Sequence, residues 1–202
     1  MNAYDFDKTV FYPDSMMQFV RFCLRRHPKL LVSYLPGLLR SLVRYAVGKE
    51  PVVKLHAKLN GIVKYLKDPD RDVADYWAKY EKNLSTWYLA QKRSDDLIIS
   101  ASPEYLLRPL TDKLGVRLIG TIVDRETGVM IGNVRLAKEK AKYIIEQEMP
   151  VIDNFYSDSL SDTPIALLAD HAFLVKDKAR RPEPWPHLSE AVRKKVHRKI
   201  DI

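Results

Sequence analysis

The sequence predicts an α/β fold in which a parallel sheet carries a helical insert after its first strand. Three observations predict it. From residue 92 onward, short apolar runs alternate with helical patterns, as parallel strands and their crossover helices do. Residues 13–91 show helical periodicity alone. Three of the apolar runs also end in short polar clusters, where a ligand site lies beyond the carboxyl edge of an open sheet.

Residues 2–6 form a short, partly apolar run that suits a buried strand, although length alone does not separate strand from helix. Ser15 and Gln18 have capping-box spacing, with Ser15 as N-cap. Phe19, Val20, Phe22, Cys23 and Leu24 continue that helix. His27-Pro28 ends it, because the residue before proline avoids the α region. Residues 30–47 read as one or two helices broken at Pro36-Gly37, and residues 52–66 as another helix. Asp68-Pro69-Asp70 reads as a turn, and residues 73–89 as a helix whose Tyr76, Trp77 and Tyr80 face a core.

Leu97-Ile98-Ile99 reads as a buried strand feeding a helix, with Ser102 as N-cap and Pro103 at its first position. Residues 116–123 form the next strand, Arg125-Glu126-Thr127-Gly128 a hairpin turn, and Val129-Met130-Ile131 the returning strand. Residues 137–147 are a helix, 151–155 a strand, 165–169 helical and 172–175 a final strand. Pro182-Glu183-Pro184-Trp185-Pro186 is a rigid break before a basic stretch.

Composition narrows the function classes. Apolar residues make up 46% of 202, enough for one core with an inserted subdomain. Only 7 residues are Gly, and neither G-x-x-x-x-G-K-[ST] nor G-x-G-x-x-G occurs, so phosphate-loop and dinucleotide sites lose their main support. Cys23 is the single cysteine, which excludes an intrachain disulfide and a Cys-based metal cluster. The N-terminus has no basic leader with a long apolar run, and residues 30–47 are interrupted by Arg40, Arg44 and Pro36-Gly37; a cytoplasmic protein is expected. Between Arg21 and Lys67 there are eleven Lys or Arg against Glu50 alone, although the whole chain is only +8. The stretch from Lys176 onward is also basic, so the remainder is net acidic. Basic surfaces gather anions.

The chemistry resides in three clusters, each behind a predicted strand: Asp5-Phe6-Asp7-Lys8-Thr9, Ser100-Ala101-Ser102-Pro103 and Asp158-Ser159-Leu160-Ser161-Asp162. Asp5 and Asp7 lie two apart, so on an extended strand both project to one side. Two carboxylates so close repel each other, and a divalent cation relieves that; hard oxygen donors suit Mg²⁺. Each cluster has a plainer reading alone. The D-x-D can be a turn, Asp158 and Asp162 a solvated turn and a cap, Ser100 and Ser102 helix caps. Their joint occurrence in this order favours one site.

On these residues the sequence resembles the haloacid dehalogenase superfamily of phosphohydrolases, in its phosphoserine-phosphatase-like branch. Asp5-Phe6-Asp7-Lys8-Thr9 fits the D-x-D-x-T motif, Leu97-Ile98-Ile99-Ser100 the second motif, and Tyr156-Ser157-Asp158-Ser159-Leu160-Ser161-Asp162 the acidic fourth. The lysine motif at 133–142 is looser: Val134 and Leu136 replace the usual Cys and Gly. Lys140 fits the following segment best, with Lys138 as the alternative. The likeness spans residues 2–170. It implies a Rossmann-like core at 1–12 and 92–176, a helical cap at 13–91 and a basic tail at 177–202 outside the match.

The resemblance further implies a Mg²⁺-dependent phosphatase of a small phosphomonoester. Asp5 is then the nucleophile that forms an aspartyl-phosphate, Asp7 the general acid and base, and Ser100 and Lys140 the groups that hold the phosphoryl oxygens. Asp5, the carbonyl of Asp7 and Asp158 hold the metal, with Asp162 behind them. Thr9, Asp14 and Arg21 are the further candidates for substrate contact. Lys8 stands where glycine is frequent in the superfamily, which requires ordinary backbone angles and an outward side chain. Two other readings compete: a lipid-phosphate phosphatase at an anionic membrane surface, reached through the basic insert or tail, and a non-catalytic anion or nucleic-acid binder. No nucleic-acid motif is present, so no nucleic-acid partner is expected.

Overall fold

In a computed structural model of the chain, which describes residues 1–132, 137–176 and 181–187, the apolar runs become strands β1 (Asn2–Tyr4), β2 (Leu97–Pro103), β3 (Arg117–Val123), β4 (Met130–Ile131), β5 (Ile152–Ser157), β6 (Ala169–Lys176) and β7 (Arg181–Pro184). They form one sheet in the order β4-β3-β2-β1-β5-β6-β7. The five inner strands are parallel, and β4 and β7 are antiparallel edges. This is a Rossmann-like α/β arrangement, with β1 at the centre of the sheet. Every residue of β1 is buried, as expected for a strand covered on both faces. Along β2, Leu97 and Ile99 enter one apolar cluster and Ile98 the other, following the alternation of a strand.

The insert comprises α1 (Ser15–Arg26), α2 (Leu30–Ser33), α3 (Leu35–Ala46), α4 (Val52–Asn60), α5 (Pro69–Tyr80) and α6 (Thr86–Gln91), all between β1 and β2. After β2 follow α7 (Glu104–Leu114), α8 (Ala137–Glu146) and α9 (Thr163–Ala166). Phe6 and Phe11 stack, and Trp77 stands edge-on to both, so one apolar core runs from the sheet into the insert. The Trp77 indole N–H donates to the Leu106 carbonyl at 2.6 Å. Buried Asp72 accepts from Arg26 Nε at 3.1 Å and lies 2.9 Å from His27 Nε2, tying the end of α1 to α5. Both ends of the insert meet at the sheet. The Ser85 N–H donates to Val10 O at 2.8 Å, its hydroxyl to Thr9 O at 3.0 Å, and Phe11 bridges Leu84. On the far side, a Cβ on Gly128 would lie 2.9 Å from Gly61 O, so the β3–β4 turn and the insert touch backbone to backbone.

Several expectations need correction. Asp14, not Ser15, caps α1, accepting from the Met17 N–H at 2.8 Å. The break in 30–47 lies at Tyr34, and Pro36 opens α3, since proline is tolerated in a first turn. Asp68 is the N-cap of α5, with Pro69 at its first position, rather than part of a free turn. The 73–89 helix ends at Tyr80 and restarts at Thr86. Ser102 lies in β2 and caps nothing. The 182–186 segment is not a break: β7 pairs with β6 at the edge of the sheet, where Pro182 and Pro184 cost little.

Candidate active site

The site grows from the carboxyl end of β1. The Asp5 N–H donates to Tyr156 O at 2.8 Å, extending the ladder by one residue. Phe6 O then accepts from the N–H groups of Thr9, Val10 and Phe11, which turns the chain sharply. Lys8 takes φ 61 in this turn, a left-handed conformation that costs a non-glycine residue about 1 kcal/mol. The ordinary backbone expected of Lys8 is therefore not what the chain adopts. Its ammonium partly offsets the rise that burial causes in the Asp158 carboxyl pKa.

Asp7 is held at both oxygens. Its Oδ1 accepts from the Ser15 N–H at 2.6 Å and its Oδ2 from the Ser102 hydroxyl at 2.6 Å. The first residue of α1 and the end of β2 thus orient one carboxyl. Burial, reinforced by Asp14, pushes the Asp7 carboxyl up to about 6 against these hydrogen bonds.

Lys140 reaches from α8 to the base of the site. Its Nζ donates to Asp5 Oδ1 at 2.5 Å and to Asp162 Oδ2 at 3.2 Å. The Ser157 hydroxyl donates to the same Asp162 oxygen at 2.8 Å. Burial favours the neutral amine, but the two carboxylates prevail and hold Lys140 charged. Asp5 is itself raised by burial and, more weakly, by Asp162 and Asp158, with Lys140 opposing. The Asp158 N–H donates to the Thr9 hydroxyl at 2.9 Å, fixing one carboxyl-edge loop to the other.

These groups surround a cavity of about 240 Å³ lined by Asp5, Asp7, Lys8, Asp14, Met16, His56, Leu59, Ser100, Ala101, Ser102, Asp158 and Ser159. Asp5, Asp7, Asp14, Ser100 and Asp158 were all singled out by sequence. Lys140 and Asp162 sit behind Asp5, and buried Thr9 sits behind Asp158. Arg21 is exposed on α1 and does not line the cavity. The Lys138 side chain and residues 133–136 lie outside the described residues. Sequence reasoning missed Met16, His56 and Leu59. His56 and Leu59 are three apart on one face of α4, a spacing that marks a face without saying what it meets. Burial of His56 lowers its pKa, favouring neutral imidazole.

Among the described residues, no three His, Cys, Asp or Glu side chains converge to cage a metal by themselves. The donor set is smaller. Asp5 and Asp158 reach the cavity from the ends of the paired strands β1 and β5, and both are raised by burial among like charges. Mg²⁺ suits such a set, because it uses one or two carboxylates and keeps several waters or phosphate oxygens.

The model of the haloacid dehalogenase-like hydrolases matches residues 3–167. The chain belongs to this family. None of the curated protein sequences compared matches it. Among solved structures, this hydrolase is similar to a protein of unknown function from Bordetella pertussis Tohama I, at 17% identity and TM-score 0.71 over 98% of this chain and 95% of that one. It is similar to a probable phosphoserine phosphatase from Vibrio cholerae, in unliganded form, at 13% identity and TM-score 0.66 over 98% and 64%. It also resembles a phospho-aspartyl intermediate analogue of phosphoserine phosphatase, at 14% identity and TM-score 0.52 over 85% and 84%. At these identities the shared property is the fold.

Proposed function

We propose that this hydrolase is a Mg²⁺-dependent phosphatase of a small phosphomonoester that works through an aspartyl-phosphate on Asp5. The observation that carries the reading is the pair of carboxyls in one cavity, Asp5 bound by Lys140 and Asp7 held by Ser15 and Ser102. Asp5 attacks phosphorus, and the bond from phosphorus to the ester oxygen breaks. Asp7 protonates the departing oxygen, a task suited to a carboxyl pushed up to about 6. Water then attacks the aspartyl-phosphate, Asp7 takes its proton, and Asp5 is regenerated. The Ser100 hydroxyl and Lys140 stabilise charge on the phosphoryl oxygens. Asp5, the carbonyl of Asp7 and Asp158 would hold Mg²⁺, which supplies charge neutralisation at the phosphoryl group.

In this reading, residues 13–91 act as a cap over the core of 1–12 and 92–176, lending Asp14, Met16, His56 and Leu59 to the cavity. A cavity of about 240 Å³ favours a small substrate. The related structures of a phosphoserine phosphatase and of a probable one support the reaction class. The test is phosphate release from p-nitrophenyl phosphate and a panel of phosphorylated metabolites, with Mg²⁺ or with EDTA. Wild type should turn over only with the metal, and Asp5→Asn should be inactive. Turnover that survives in Asp5→Asn would overturn the assignment.

A further inference from the structure

The outer face of the insert carries a feature that catalysis does not use. Leu39 and Val43 on α3, and Val47 just past its end, are spaced four apart and exposed, so they form one stripe. Leu31 and Val32 on α2 and Val53 in the first turn of α4 are exposed beside it in sequence, and Val32 is 83% exposed. Exposed aliphatic side chains concentrated on so few turns mark an interaction surface.

A second cavity, of about 540 Å³, opens between α3 and α4. Arg40, Arg44, Lys54 and Lys58 line it, with Glu50 as the acid. Glu50 is already engaged, accepting from the Ser41 hydroxyl and from Arg44 Nε. Among the described residues, no carboxylate is in ion-pair contact with Arg40, Lys54 or Lys58, although Lys54 lies near enough to Glu50 to help lower its pKa. A Cβ on Gly37 would lie 2.7 Å from Lys58 Nζ, so glycine there leaves room for the ammonium to lie along the start of α3. Arg40 and Arg44 each follow an apolar stripe residue by one position, placing the basic ridge beside the apolar one.

An aliphatic stripe flanked by cations is the pattern of a helix that lies in a bilayer interface, where the apolar side enters the headgroup region and the cations meet lipid phosphates. A nucleic acid would use the cations but leave the aliphatic stripe in water. We propose that the α2–α3–α4 face docks on an anionic lipid bilayer, with Leu39, Val43 and Val47 entering the headgroup layer and the α3–α4 cavity taking a lipid phosphate. Helix α4 is shared between the two cavities: Lys54, Ala57 and Lys58 face the basic one, His56 and Leu59 the catalytic one. Docking therefore places the catalytic cavity one helix away from the lipid surface. The proposal concerns where the protein sits and is independent of which phosphomonoester it hydrolyses.

Cosedimentation of the full chain with vesicles tests it. The vesicles are phosphatidylcholine alone, or phosphatidylcholine with about 30 mol% phosphatidylglycerol, enough to give a negative surface potential. The variants are Leu39→Ser/Val43→Ser and Arg40→Ala/Lys54→Ala, with far-UV circular dichroism confirming that each folds. Binding is expected on the anionic vesicles only, weakened at least about tenfold in each variant and by raising salt to about 0.5 M. No binding of wild type to anionic vesicles overturns the proposal, as does equal binding to neutral ones. Binding unchanged in Leu39→Ser/Val43→Ser also overturns it, since that result means electrostatic adsorption without insertion. Failure here would leave turnover of soluble phosphomonoesters untouched.

Discussion

The Ser102 hydroxyl donates to Asp7 Oδ2 at 2.6 Å across 95 positions of chain. It stands 3.3 Å from the Ser15 hydroxyl, so two serines from different elements frame one carboxyl. Ser102→Ala removes this donor and leaves Asp7 oriented by Ser15, through its N–H and its hydroxyl. The expected result is a kcat for p-nitrophenyl phosphate reduced roughly 10–100-fold with the fold intact, as for partners that orient a catalytic group. Steady-state kinetics on the purified variant checks it, and Ser102→Thr should recover part of the loss.

Lys140 is the counter-charge for two buried carboxylates, Asp5 and Asp162. Lys140→Met keeps the length of the side chain and deletes the charge. In the proposed reaction activity should fall by at least about 100-fold, since the preorganised charge that Lys140 would hold near the phosphoryl group is lost. A thermal melt should also move, because the two carboxyls are then left facing each other without a cation; an unchanged melting temperature would contradict the ion-pair assignment.

His56 responds to acid with a definite sign. Burial lowers its folded pKa below the ordinary histidine value of 6.5. Below pH 6.5 the unfolded chain binds a proton that the folded one resists, so this contribution to stability falls as pH drops. Between pH 7.5 and pH 5 the melting temperature of the wild type should fall further than that of His56→Gln, because only the wild type carries the group that resists protonation when folded. A variant that loses as much as the wild type would show that His56 is not the group responsible.

Asp72 joins α1 to α5 through Arg26 and His27. Both partners are about one-third exposed, so water can replace the carboxylate for them. Asp72→Ala should therefore cost about 1–2 kcal/mol, less than for a fully buried pair. Urea denaturation measures this, and activity at saturating substrate should be little changed.

Much of this was legible in sequence for a physical reason. Leu97-Ile98-Ile99 is buried on both faces, so it is apolar without interruption, and the polar residues behind it mark the sheet's edge. Asp5 and Asp158 follow strands directly, Asp7 lies in the turn just beyond β1 and Ser100 within β2, and strand order brings them together. Ser102 could not be read so. A serine before a proline has a local use as a cap, and its bond to Asp7 leaves no trace in its neighbours. Met16, His56 and Leu59 depend on which face of a short helix meets the sheet, which tertiary packing decides. Asp14 and Ser15 were exchanged as cap because the Ser15 N–H is drawn to Asp7. β7 was missed because two prolines argue against a strand unless it lies at an edge.

The stitch between Ser85 and the Thr9–Val10 backbone has an evolutionary consequence. The insert departs from and rejoins the sheet at one place, so its ends are already together whatever lies between them. Closing a longer excursion costs only about 0.6 kcal/mol per doubling of length. The helices between these two points can therefore be exchanged, lengthened or trimmed while the segment just beyond β1 that carries Asp5 and Asp7 stays fixed. Selectivity can then diverge at a rate of its own, with the chemistry inherited unchanged.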